Sequence, residues 1–261
     1  MSELPWGKKG LGQHWLNDWA SLEAMSDAAD LQKGDTVLEI GPGTGTLTEL
    51  LLEKGASVIA VEKDRSLLVA LVKKFSSKNF ILHNEGILEF DLTQLPASYK
   101  IVANIPYYLT SNLIRTLSES SNPPQTAVLL VQKEVAERVA AGPGKMSLLS
   151  VTAQLYWDVS LGLKVPAKLF SPPPKVDSQI LILKRRTEPL FPNADTKQLF
   201  RIVKAGFGER RKTLGNSLSG ALRISKDEAR EILRKAEIDP GLRAQALSLE
   251  NWHQLYKQVN T

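Results

Sequence analysis

Four consecutive residues, Asn104-Ile105-Pro106-Tyr107, combine types that suit one kind of chemistry. The exocyclic amine of an adenine is a poor nucleophile because its lone pair is delocalised into the ring. Two acceptors set against its two N–H groups favour a more tetrahedral nitrogen, whose lone pair can then face an electrophilic methyl group. The side-chain oxygen of Asn104 is one such acceptor, and the backbone carbonyl of Ile105 or Pro106 is the other. Pro106 stiffens the turn, and Tyr107 offers an aromatic face to a base taken out of its stack. The amine sheds its proton easily after attack, so no dedicated base is required, and positioning and desolvation carry most of the rate. No Ser-His-Asp or Cys-His arrangement competes for the role. Cysteine is absent, and the three histidines stand far apart at positions 14, 83 and 253, which excludes disulfides and thiolate sites and argues against a metal centre. An isolated Asn-x-Pro-Tyr is usually only a turn. Here it follows a strand pattern and comes after a second cluster that speaks to the methyl donor.

That cluster is Glu39-Ile40-Gly41-Pro42-Gly43-Thr44-Gly45, at the end of the apolar run TVLEI and before a helical pattern. Glycines there let the backbone turn sharply and approach a ligand closely. Glu62 ends the next apolar run, 21 residues after Gly41, where a carboxylate can accept two hydrogen bonds from ribose hydroxyls. The dinucleotide pattern G-x-G-x-x-G/A fails, because Thr46 stands at its third glycine. The spacing Glu39-x-Gly-x-Gly-x-Gly resembles the loop of class I methyltransferases, which cradles the amino-acid tail and adenosine of S-adenosylmethionine and has no pyrophosphate to hold. Glu85, after a third apolar run, is placed to hydrogen-bond the cofactor's adenine amine.

The elements needed to position these residues are legible. Short apolar runs at 36–40, 57–62, 80–84, 100–105 and 126–132 read as buried strands, with helical spacing at 47–54 and 66–75. This alternation predicts an α/β fold, a parallel sheet covered on both faces, with ligands outside the carboxyl ends of its strands. A helix is expected at 133–141, another at Leu148–Leu155 and a late strand at 179–186. After Arg186 comes the linker TEPLFPN, then three or four helices: Thr196–Gly206, a short one near Asn216, Lys226–Ala236 and Leu249–Val259. Ser225 is the expected N-cap of the third, with Glu228 completing a capping box. Two domains follow, a catalytic one over 1–187 and a helical one over 188–261. From Glu188 onward there are 13 Lys+Arg against 9 Asp+Glu, so most of the chain's net charge of +5 sits in the helical part. A basic appendage on a near-neutral domain suits a phosphate-bearing partner. The opening residues lack the apolar core of a secretory leader and no run approaches a membrane span, so a cytoplasmic location is expected.

Six segments in order resemble one family, the ribosomal RNA adenine N6,N6-dimethyltransferases of the KsgA type. They are Lys9-Gly10-Leu11-Gly12-Gln13-His14-Trp15-Leu16-Asn17-Asp18, Glu39 to Gly45, Asn104 to Tyr107, Gln132-Lys133-Glu134-Val135-Ala136, Phe170 to Ser178 (FSPPPKVDS), and Phe207 to Leu214 (FGERRKTL). The resemblance implies a class I, Rossmann-like methyltransferase sheet with a small all-helical C-terminal domain. It implies transfer from S-adenosylmethionine to two adjacent adenosines near the 3′ end of small-subunit rRNA, two methyls on each, late in assembly of that subunit. In this picture the partner is an immature small subunit and the enzyme a monomer. Asn104, Pro106 and Tyr107 are catalytic, and Phe170 gives the flipped adenine a second aromatic face. His14, Leu16, Gly41, Glu62, Glu85 and Asn104 hold the cofactor. Arg210, Arg211 and Lys212 bind RNA phosphates, with Lys8, Lys9, Lys133 and Arg138 as lesser candidates. The chain departs from the family pattern where His14 replaces the usual asparagine, where Glu85 replaces a common aspartate, and where Met146-Ser147-Leu148 replaces an aromatic-Gly-basic stretch. The competing readings are an assembly factor with secondary methylation and a large-subunit methylase of the macrolide-resistance type.

Overall fold

The computed structural model describes residues 12–76, 78–209 and 211–259. Seven strands form one sheet. In chain order they are β2 (Thr36–Ile40), β3 (Ser57–Val61), β4 (Phe80–His83), β5 (Lys100–Asn104), β6 (Thr126–Gln132), β7 (Trp157–Val165) and β9 (Ser178–Arg185). Two further two-residue strands, β1 (Trp15–Leu16) and β8 (Phe170–Ser171), pair with each other outside it. The helices are α1 (Trp19–Ala28), α2 (Thr46–Glu53), α3 (Arg65–Phe75), α4 (Thr110–Glu119), α5 (Lys133–Val139), α6 (Leu148–Tyr156), α7 (Thr196–Phe207), α8 (Leu214–Leu222), α9 (Lys226–Lys235) and α10 (Leu249–Val259).

The sheet order is β4-β3-β2-β5-β6-β9-β7. Strands β2 to β6 are parallel, with Thr36 opposite Ser57 and Lys100 opposite Thr126. Their interiors are continuous apolar runs because helices cover both faces. The chain winds outward from β2 to β4, then returns to the other side of β2 to lay down β5. The carboxyl ends of β2 and β5 therefore diverge, and a crevice opens between the loops that leave them. Those loops are the glycine cluster and the Asn104 tetrapeptide.

The sheet is mixed, which corrects the expectation of a parallel one. β9 runs antiparallel to β6, Thr126 facing Lys184 and Gln132 facing Ser178. Strand β7 was not anticipated. It lies at the edge of the sheet and follows α6 with no glycine or proline between; its signal is the alternation of Trp157, Val159, Leu161, Leu163 and Val165 before Pro166, not the continuous apolar run by which the other strands were read. Helix α4 was also not anticipated, although Leu113, Ile114 and Leu117 give it a buried stripe.

Helix starts follow side-chain capping. Asp64 caps α3 by accepting from the Ser66 N–H, and Leu67, Leu71 and Phe75 then fall on one buried face. Asp195 caps α7, and Ser225 caps α9 by accepting from the Glu228 N–H.

Two compact units result: the described residues up to Glu137 with Asp158–Arg185, and Arg138–Trp157 with Arg186 onward. The first contains the sheet, with a core of Val37, Leu51, Val58, Val102, Val128 and Ile180 among others. The second is helical, built around Val203, Leu214, Leu233, Trp252 and Leu255. The boundary expected near 187 marks the final entry into the helical unit, but that unit also takes in Arg138–Trp157. The reason is packing: Met146, Val151 and Leu155, in and just before α6, belong to the helical core.

Candidate active site

One cleft of about 230 Å³ opens over the carboxyl ends of β2, β3 and β5. Among its lining residues are His14, Leu16, Gly41, Glu62, Glu85, Asn104, Pro106 and Tyr107. Residues from five separated stretches of sequence are thereby brought together.

The glycine loop is shaped by two different demands. Gly41, at φ +68°, donates its N–H to the Val61 carbonyl at 2.9 Å, and the space a Cβ would fill there is open. Gly43, at φ +59°, lies against Trp15, whose ring would be 2.3 Å from an added Cβ. Gly41 therefore leaves room for a ligand, whereas Gly43 is needed for packing. Helix α2 begins at Gly45 with no side-chain cap, so its first N–H groups remain an electropositive end near the cleft.

Glu39 and Glu62 stand behind the loop. Glu39 is buried and accepts from Thr48 Oγ1 at 2.6 Å; burial pushes its carboxyl up to about 8, helped by the nearby Glu62. Glu62 accepts from the Asp64 N–H at 2.7 Å and the Gly43 N–H at 3.3 Å. Burial nevertheless raises its carboxyl above the usual range, outweighing those two bonds. Gln13 ties the segment before β1 to this region by donating to Asp64 Oδ2 at 3.0 Å. Glu85 is partly exposed, 3.9 Å from His83 Nδ1.

The tetrapeptide is held at several points. Asn104 Nδ2 donates to the His14 carbonyl at 3.1 Å. That fixes the amide's orientation and leaves Oδ1 as its acceptor end. The Pro106 carbonyl already accepts from the Leu109 N–H at 3.0 Å, which favours Ile105 as the second acceptor. The Tyr107 hydroxyl shares a hydrogen bond of 2.7 Å with Ser178 Oγ, and burial pushes the phenol's pKa up. The His14 ring stacks near Tyr107, with centroids 5.9 Å apart and planes at 22°. Its Nδ1 lies 2.8 Å from the Pro172 carbonyl, so only the Nε2 edge remains for a ligand.

Phe170 is not on the cleft wall. It is 4% exposed and packs in the core of the sheet unit, opposite Leu16 in the β1–β8 pair. In a two-residue ladder one side chain faces in and the next out; Phe170 takes the inward place and Ser171 the outward one. Tyr108, 61% exposed, is the additional aromatic on the wall, and was not singled out from the sequence. Ser178 and Thr48 were also missed. Their roles depend on partners 71 and 9 residues away, and no spacing rule reveals them.

The basic run falls in the turn between α7 and α8. Arg210 lies outside the described residues, as do Lys8 and Lys9. Arg211 is exposed, and Lys212 pairs with Glu209 at 2.6 Å. Lys133 lies 4.0 Å from Glu137, and Arg138 is exposed. Met146 is buried, and Ser147 forms a capping box with Ser150 at the start of α6. Among the described residues no His/Cys/Asp/Glu group could hold a metal ion, and no helix is long and apolar enough to cross a membrane.

Residues 6–261 match the family model described as ribosomal RNA adenine dimethylase. The ribosomal RNA small subunit methyltransferase A of Dehalococcoides mccartyi (strain CBDB1) is 42% identical over 252 residues, spanning 95% of this chain and 87% of that protein. A solved dimethyladenosine transferase from Plasmodium falciparum superposes with a TM-score of 0.80 at 26% identity, covering 95% of this chain and 98% of the other. The 23S rRNA methyltransferase ErmE superposes with a TM-score of 0.75 at 28% identity, covering 95% and 100%.

Proposed function

Because this chain belongs to the ribosomal RNA adenine dimethylase family, we propose that it methylates the N6 amines of two adjacent adenosines near the 3′ end of small-subunit rRNA, two methyls on each. The observation that carries this reading is the orientation of Asn104: its amide nitrogen is tied to the His14 carbonyl, so its oxygen is the end left for an amine.

The cleft suits S-adenosylmethionine. Gly41 leaves open the volume a side chain would take, Glu62 sits just past the end of β3, and Thr46 stands where the dinucleotide pattern needs its third glycine. Glu62 would accept from the ribose hydroxyls, Glu85 would meet the adenine amine, and Leu16 and the Nε2 edge of His14 would border the remainder. The cofactor supplies a sulfonium methyl group, which is the electrophile. The chain's own residues then do the positioning. Asn104 Oδ1 and the Ile105 carbonyl accept the two hydrogens of the target amine and turn its lone pair toward the donor. Tyr107, held by Ser178, offers its face to the extruded base. Expulsion of water strengthens these contacts. Phe170 could serve as a second face only if the β8 segment turned outward, so Tyr107 is the aromatic we assign. Arg211, with Lys212 and Arg210, contacts phosphates. The substrate is an immature small subunit, and the protein acts as a cytoplasmic monomer.

The test uses small subunits from a strain lacking this protein, incubated with purified protein and methyl-labelled S-adenosylmethionine. We expect label as N6,N6-dimethyladenosine in small-subunit RNA alone, and none with Asn104→Ala, which should still bind the cofactor. Label in large-subunit RNA would instead favour the activity named for ErmE. Binding to the subunit without any label would favour an assembly factor.

A further inference from the structure

His14 is joined to two other site segments, one through its backbone and one through its side chain. Its carbonyl accepts from Asn104 Nδ2 at 3.1 Å. Its ring Nδ1 lies 2.8 Å from the carbonyl of Pro172, 158 residues further along the chain. A carbonyl can only accept, so Nδ1 carries the proton and donates. The β1–β8 ladder beside it contains only two residue pairs, which is little to fix the register of residue 14. The ring bond continues that ladder by one residue. The same proline segment ends at Ser178, which holds the Tyr107 hydroxyl at 2.7 Å.

We propose that His14 is a positioning residue: the relay through which the Pro172 carbonyl holds the Asn104 amide with its oxygen toward the target amine. A flipped amide would set N–H groups against the N–H groups of the amine and lose both the attraction and the lone-pair alignment. Residue 14 prevents this by offering Asn104 a fixed acceptor on one side. The relay depends on the Nδ1 edge of the imidazole, and that edge has a close mimic. Asparagine places an amide nitrogen where Nδ1 stands, whereas glutamine reaches to the position of Nε2. Asparagine at position 14 would therefore make the same bond. The proposal rests on the methyl-transfer reading of the cleft.

The experiment compares His14→Asn, His14→Gln and His14→Ala in the full chain. In the labelling assay, His14→Asn should keep kcat within about threefold, while His14→Gln and His14→Ala should lose about tenfold or more, the loss expected for one positioning hydrogen bond. Because the Nε2 edge of His14 borders the cofactor, the KM for S-adenosylmethionine should rise in the asparagine and alanine variants alike, so kcat at saturating cofactor is the readout that separates them. Rescue of kcat by glutamine but not asparagine would overturn the proposal and leave the Nε2 contact as the only role of the His14 ring. Equal activity in all three would also overturn it. A second readout needs no methyl transfer: solvent exchange of the Asn104 side-chain amide protons, followed by NMR on 15N-labelled protein. Exchange should be faster in the alanine and glutamine variants and unchanged in the asparagine variant. If the exchange order holds while the parent protein transfers no methyl, the methyl-transfer reading fails and the relay stands. If exchange does not respond, the relay fails whatever the activity.

Discussion

A carboxyl group deprived of water holds its proton longer, and Glu39 is 1% exposed. Its pKa rises from 4.5 to about 8, chiefly through burial, although Thr48 donates to it. Between those values the unfolded chain releases a proton that the folded protein keeps. Folding stability contributed here is therefore full below pH 4.5 and is lost as pH rises toward 8. Glutamine keeps the oxygen that accepts from Thr48 and removes the titration. Glu39→Gln should therefore gain on the parent as pH rises from 5 to 8, by up to about 1.4 kcal/mol per pH unit. Urea unfolding at several pH values measures this, and parallel pH profiles for the two proteins would show that Glu39 is not protonated in the fold. At this scale the sequence named the right chemistry. It could not say which of two carbonyls was already engaged, because that depends on the Leu109 N–H closing a turn on Pro106.

The glycine loop is a single element, yet its members answer to different neighbours. Gly41→Ala meets no atom within 4 Å, so the fold should bear only the cost of a side chain at φ +68°, about 1 kcal/mol. The new methyl group stands in the cleft, so cofactor affinity should fall about tenfold or more. Gly43→Ala drives a methyl group into the Trp15 ring and should lower both melting temperature and cofactor affinity. Calorimetry for binding and thermal unfolding for stability separate the pair; equal stability losses would mean the loop tolerates Trp15 moving aside. Elements of the parallel core were legible because each is an apolar run between turn signals. Strand β7 was not read, since its apolar residues alternate along an edge and do not form a continuous run.

Charge belongs to the whole molecule. The excess of Lys+Arg from Glu188 onward is a net +4, and in the turn before α8 it is not evenly available. Arg211 is exposed, whereas Lys212 is already paired with Glu209. Arg211→Glu should therefore weaken binding to small-subunit RNA more than Lys212→Glu does, and flatten the slope of log affinity against log salt by about one phosphate contact. Filter binding across a range of salt concentrations tests this, and an unchanged slope would place the RNA surface elsewhere. The division of the chain shows the limit of composition at this scale. The change of character at Arg186 marks the last entry into the helical unit. Nothing in the composition of Arg138–Trp157 marks that stretch as part of the same unit.

The sequence by itself determined which chemistry the chain is built for. Asn104, Tyr107, the glycine loop and Glu62 are recognisable because strand ends, turns and short motifs are local properties, written in neighbouring residues. Tertiary structure decided what each group is free to do. It tied the Asn104 nitrogen to His14 and His14 to Pro172, placed Ser178 beneath Tyr107, turned Phe170 into the core, and carried α6 into the helical unit. Each of these is a contact between residues far apart in the chain, fixed by the packing of whole elements, and no periodicity in the sequence encodes it.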